Sequence, residues 1–287
     1  MRMMRPAELV KRTLRLVGKA VNADPGSRAV VLCYHSIHPF LPFRSATPEL
    51  FDEHLHWLRQ HCEVVPFSGL SAARANARSR PAVSVTFDDG YADNHEYALP
   101  TLVRHGITAT FFVTAGFLEK DAAVLARFRT LRGVSDEMIK PLSWSQIDEM
   151  RASGMEVGAH TYAHPNLARL DDRHLEIELT RSKRVLEDRT GISVGMMAYP
   201  FGRPKVHVDD RVVTAVRRSG YALAATTATR GLRPHDDPLM IPRFFATNDA
   251  VPVVREKVLG EWDLIGIVRE RAPKVVARFV SPRDFAF

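Results

Sequence analysis

The strongest constraint on this chain is an alternation, in which short apolar, β-branched runs recur between longer stretches of helical period. Residues 29–34, 83–87, 108–114, 155–158, 194–198 and 221–226 read as strands, and 239–245 as a last extended piece. Between them, the segment after Thr47 places Phe51, Leu55 and Leu58 on one helical face, with Pro48 at its first position. Further helices are predicted over 97–105, 143–154, 171–189 and 208–219, and from 253 onward. Ser143 and Gln146 form a capping-box pattern, and Gly106 and Gly191 stop two of the helices. Residues 119–140 are a polar, arginine-containing insertion with no assigned form. Strand-then-helix repetition implies parallel strands in one sheet, and about seven or eight strands fit an α/β barrel, complete or interrupted. No Gly-rich dinucleotide or phosphate loop follows any strand.

A barrel of this size is routinely one domain, so 28–250 is taken as the domain, preceded by a basic segment at 1–27 and followed by a helical tail at 251–287. In the first segment Leu9, Val10, Leu14, Leu16, Val17 and Val21 make a partly amphipathic pattern. It could rest on the domain itself or make peripheral contact with a membrane. It lacks the continuous apolar core and cleavage site of a signal peptide, so the expected location is cytoplasmic, at most at the membrane surface. No apolar run is long enough to span a bilayer. The net charge of +7 raises nucleic-acid binding. The basic residues are interspersed with acids, however, and no nucleic-acid motif occurs, so no such partner is expected. The two cysteines, Cys33 and Cys62, suggest neither a disulfide framework nor a zinc knuckle.

In β/α barrels the reactive groups stand at the C-terminal ends of strands. Here three strand ends carry Asp88-Asp89-Gly90, His160 with His164, and Tyr199-Pro200-Phe201-Gly202. Adjacent aspartates on a strand point to opposite faces, but a sharp turn at Gly90 lets the two carboxylates take different roles at one mouth. One could bind a metal while the other sits beside the attacking water. Pro165 disfavours a helical backbone at His164, so the histidine pair belongs to a loop, with Thr161 placed to orient a ligand. Two imidazoles and one carboxylate leave coordination positions open, the pattern of a catalytic rather than a structural metal site. Each motif alone is a commonplace turn or a polar surface; their coincidence at successive strand ends is what carries weight. Of the other histidines, His54 and His56 read as solvated helix positions and His35 as structural or at the rim.

Thr86-Phe87-Asp88-Asp89-Gly90 and His160-Thr161-Tyr162-Ala163-His164-Pro165 resemble the first two motifs of the polysaccharide deacetylases, the NodB-like carbohydrate esterases. The resemblance spans roughly residues 28–246 and implies a distorted, incomplete (β/α) barrel of about seven parallel strands. It implies one divalent ion, zinc by default, held by Asp89, His160 and His164, with Asp88 as general base. Phe201 would contribute a backbone N–H to the oxyanion, and Tyr199, Pro200 and Gly202 would line the substrate. The substrate implied is an N-acetylated carbohydrate of a polysaccharide or glycolipid.

Two departures stand out. Ala198 occupies the place of the arginine that holds the base in many members, and Leu239–Phe244 lacks the family's late histidine, which serves as general acid. The opening Leu32-Cys33-Tyr34-His35-Ser36 and the Tyr199–Gly202 turn resemble the bacterial exopolysaccharide branch, in which that histidine is often missing. The alternatives are an O-acetyl esterase or deformylase on the same site, which the missing acid slightly favours, and a silent carbohydrate-binding homologue.

Overall fold

The computed structural model describes residues 12–18, 28–40, 43, 45–75, 79–133 and 139–271. Its main sheet runs through seven parallel strands. In chain order they are β1 (Ala29–Tyr34), β2 (Ala82–Asp89), β3 (Ala109–Val113), β4 (Glu156–Ala159), β5 (Met196–Ala198), β6 (Leu223–Ala225) and β7 (Phe244–Phe245). β7 lies beside β1, pairing Leu32 with Phe244 and Cys33 with Phe245. A two-residue strand, Glu63–Val64, adds to the edge of β2. The curled sheet is an incomplete barrel. The gap between β6 and β1 is bridged by the extended segment Ile241–Phe245: Thr226 N–H donates to Ile241 O at 2.7 Å on one side, and Ala246 N–H to Cys33 O at 3.1 Å on the other.

The helices used below are α1 (Pro48–His61), α2 (Leu99–His105), α3 (Ala115–Leu118), α4 (Ala122–Arg132), α5 (Trp144–Ala152), α6 (Asp172–Thr190), α7 (Asp210–Arg218), α8 (Val251–Val258) and α9 (Asp263–Arg271). Their ends follow local chemistry. Thr47 caps α1, Ser143 and Gln146 close a full capping box on α5, and Asp171 and Gly191 bracket α6. The insertion contains α4, which starts at its cap Asp121 and stops at Gly133 in the left-handed conformation. One π-helical turn, Asn94–Ala98, leads into α2.

β1 and β2 are buried along their whole length, so both strand faces pack. Val30, Leu32, Val83 and Val85 face the helices, while Ala29, Val31, Ala82 and Phe112 face the barrel interior. The interior is narrow. A Cβ on Gly158 would stand 2.6 Å from the Phe112 ring, so β4 needs glycine there. Alternation carries Thr86 and Asp88 to this interior face as well.

The helix over 12–18 rests on the same body. Leu14 packs on the core, and Arg15 pairs with Glu261 at 3.2 Å, while Leu16 and Val17 stay exposed. Leu9, Val10 and Val21 lie outside the described residues. α8 and α9 contribute Val254, Val258 and Ile265 to the main core, and Arg28 pairs with Asp263. Among the described residues no helix is long and apolar enough to cross a membrane. The reading of His54 as solvated is overturned. It is fully buried, taking the Tyr34 hydroxyl at 2.9 Å and reaching Asp249 O at 2.7 Å, because α1 turns that face onto β1.

Candidate active site

A cavity at the C-terminal mouth of the barrel is bordered by Asp88, His160, His164, Tyr199, Phe201 and His35. The backbone around it is unusual. Asp89, Thr161, His164 and Phe201 all have positive φ, at 77°, 65°, 54° and 61°. Non-glycine residues seldom adopt this conformation, and such strain concentrates where a surrounding structure enforces a site. At Asp89 the twist breaks the strand's alternation. Asp88 keeps its interior direction, and Asp89 turns toward the histidines.

The histidine loop is held from three sides. Ala115 and Gly116, at the start of α3, donate to Thr161 O at 3.1 Å and Tyr162 O at 2.8 Å. The Glu178 carboxylate of α6 accepts from Tyr162 N at 3.0 Å and Ala163 N at 2.8 Å. Thr161 Oγ1 accepts from His164 N at 3.1 Å, so this threonine orients His164 through its backbone, not its ring. His160 Nδ1 lies 2.8 Å from Ala198 O; a carbonyl only accepts, so Nδ1 carries the proton and Nε2 presents its lone pair.

Asp89 Oδ1 is buried without a hydrogen-bond partner, 3.5 Å from His160 Nε2 and 3.4 Å from His164 Nε2. Donors bound tetrahedrally at 2.0–2.2 Å stand about 3.4 Å apart, so the donor set fits a small divalent ion. The protonation states fit too. Burial pushes His164 down to about 3, leaving it neutral. Burial works against an ionised Asp89, but Arg132 and the histidines more than offset it and hold the carboxyl far below the usual range.

Asp88 is clamped by Arg243, whose two terminal nitrogens each donate to one carboxylate oxygen at 2.7 Å. Arg243 also donates to Thr226 O at 3.1 Å and Thr86 Oγ1 at 3.3 Å, and both partners are almost wholly buried. Burial pushes Asp88 up, Arg243 pulls it down, and the net is an acid below its ordinary range. Cys33 Sγ lies 3.6 Å from Asp88 Oδ2, and burial keeps its thiol protonated.

Two residues at this site, Arg243 and Arg132, escaped sequence reasoning. Arg243 holds the Asp88 carboxylate, yet it comes from the closing segment rather than from beside Ala198. The signal was a single charge inside the apolar run Leu239–Phe245. His35, read as structural or at the rim, borders the cavity and stacks on Phe245 at 5.7 Å. Arg132, in the unassigned insertion, reaches Asp89. Pro200 and Gly202 are buried in the turn, and Thr227 Oγ1 donates to Phe201 O at 2.9 Å. Tyr199 borders the cavity while its hydroxyl is committed to Leu239 O at 3.0 Å. His235 is exposed and is not among the residues bordering the cavity.

The family model described as polysaccharide deacetylase matches residues 75–224, just over half of the chain. A putative polysaccharide deacetylase, YxkH of Bacillus subtilis, is 26% identical over 210 residues, covering 72% of this chain and 67% of that protein. The poly-beta-1,6-N-acetyl-D-glucosamine N-deacetylase of Staphylococcus aureus is 22% identical over 261 residues, covering 82% and 83%. Among solved structures, IcaB from Ammonifex degensii superposes with a TM-score of 0.64 at 28% identity, over 81% of this chain and 97% of that one. The Streptococcus pyogenes deacetylase PplD, solved with acetate, gives 0.67 at 23% identity, over 80% and 98%.

Proposed function

The chain belongs to the polysaccharide deacetylase family of hydrolases, and on that premise we propose that it removes acetyl groups from N-acetylated sugars of a polysaccharide or glycolipid. The observation that carries this reading is the arginine-clamped carboxylate of Asp88 on the same cavity as the Asp89, His160 and His164 donor set. The staphylococcal relative named for poly-β-1,6-N-acetylglucosamine and the acetate seen with PplD support the same chemistry.

In this reading Asp89, His160 and His164 hold one divalent ion, zinc by ligand type, which supplies Lewis-acid polarisation of the acetyl carbonyl and activation of water when bound. Asp88, kept ionised by Arg243, takes the proton of the attacking water. The backbone N–H of Phe201 donates to the oxyanion as the carbonyl carbon becomes tetrahedral. An amine leaves only when protonated. His35, which borders the same cavity, supplies that proton, so the products are acetate and a free amino sugar. With His35 in this role, the missing late histidine no longer favours an ester substrate. The exposed Leu16 and Val17 on the 12–18 helix are the surface for any peripheral membrane contact.

Acetate release from N-acetylglucosamine oligomers, measured beside the metal content of wild type and His160→Ala, tests the reading. About one divalent ion per chain, lost in the variant together with activity, is expected. Metal without acetate release from N-acetyl substrates, but with release from O-acetylated sugars, would make the protein an esterase. Absence of metal and of activity in the wild type would return it to a carbohydrate-binding role.

A further inference from the structure

We infer that Arg132, the last residue of α4, is the positioning residue for Asp89: it holds one carboxylate oxygen so that the other alone is presented to the ion. This rests on the metal site proposed above. The two oxygens of Asp89 are treated unequally. Oδ2 receives the Arg132 guanidinium, while Oδ1 has no hydrogen-bond partner and faces both imidazole nitrogens.

The guanidinium is itself fixed at a second point. Its Nε donates to the Tyr91 hydroxyl at 2.7 Å, and its carbon lies 5.5 Å from the Phe43 ring. A planar fork shared between two partners sets an orientation that a flexible ammonium would not. The helix behind it is anchored as well: Val124 and Phe128 are buried, and Phe128 stacks on Phe117 at 4.3 Å. Gly133, with φ at +65°, ends α4 at the point where Arg132 meets the site.

A carboxylate free to rotate can offer an ion both oxygens. With Oδ2 occupied, Asp89 can give only one, which keeps the donor set to three atoms and leaves room for water and substrate. The insertion is thus a working wall of the site.

The test uses the full-length protein stripped of metal, as wild type, Arg132→Met, Arg132→Lys and Tyr91→Phe. Zinc affinity is read by chelator competition and geometry from the visible absorption of the cobalt(II)-loaded forms, with thermal unfolding of the metal-free proteins reporting the fold. Arg132→Met should bind zinc about 10- to 100-fold more weakly, the usual cost of losing a partner of a metal ligand. Its cobalt bands should weaken as the second oxygen enters coordination. Arg132→Lys should recover part of both, and Tyr91→Phe should shift both slightly in the same direction. A folded Arg132→Met with unchanged affinity and spectrum overturns the inference. Tighter binding also overturns it, by making Arg132 a competitor of the ion. A wild type that takes up no metal overturns the function reading itself and this inference with it.

Discussion

Arg243 and Asp88 meet through two parallel hydrogen bonds of 2.7 Å although 155 residues separate them in the chain. The arginine sits in the segment that bridges β6 and β1, so closing the barrel and fixing Asp88, the proposed base, are one event. Inside the barrel, with Phe112 beneath the guanidinium, both groups are almost wholly buried.

Removing the arginine should therefore be costly twice over. Arg243→Met leaves a buried carboxylate unpaired, a loss of about 3–5 kcal/mol of stability in urea unfolding. Asp88 must be ionised to act as a base, so activity is lost as pH falls through its pKa. Arg243 holds that pKa down against burial. The acid limb of kcat/KM should move to higher pH in Arg243→Met, and less far in Arg243→Lys. An acid limb that stays where it is in both variants would remove Asp88 from the role of base.

His35 is expected to matter in proportion to how poor the leaving group is. His35→Gln should lower kcat on an N-acetyl sugar by about 100-fold or more, within the usual range for a lost general acid. Hydrolysis of an aryl acetate, whose leaving group departs without a proton, should fall far less. Equal losses on both substrates would make His35 a packing residue beside Phe245.

His54 supplies a pH signature of stability that is separate from the chemistry. Burial pushes its pKa down, so the unfolded chain binds a proton near pH 6.5 that the folded protein resists. The stability it contributes is present above that pH and lost as pH falls through and below it. His54→Gln should be less stable at pH 7.5, yet lose less Tm than wild type between pH 7.5 and 5. Parallel Tm curves would show that His54 does not titrate differently on folding.

Gly116 tests how the histidine loop is held. A Cβ there would lie 2.6 Å from Tyr162 O, the acceptor of its own N–H. Gly116→Ala must push the backbone between Thr161 and His164, at about 1–3 kcal/mol. Weaker zinc binding should accompany the lower Tm. Zinc affinity equal to wild type would mean that α3 does not position the ligands.

Much of this molecule was legible in the chain because the relevant forces act over short distances. Helix ends followed Thr47, Ser143, Asp171 and Gly191, whose side chains or backbone freedom act within a turn. The paired aspartates and the His160–His164 loop stand at strand ends because hydrophobic runs stop there, and a β/α barrel gathers strand ends at one mouth. The partners of those residues were not legible in the same way. Arg243 reaches Asp88, Arg132 reaches Asp89 and His35 reaches the cavity only because curling of the sheet and closure by Ile241–Phe245 bring distant segments together. His54 was misjudged for a related reason: helical period marks a face, but only packing decides which polar residues that face takes inside. Sequence by itself determined the alternating architecture and which candidate groups stand at the strand ends, since both are written in local pattern. Tertiary structure alone decided which charges hold them, because a buried ion pair forms wherever packing removes water from both partners, regardless of their separation along the chain.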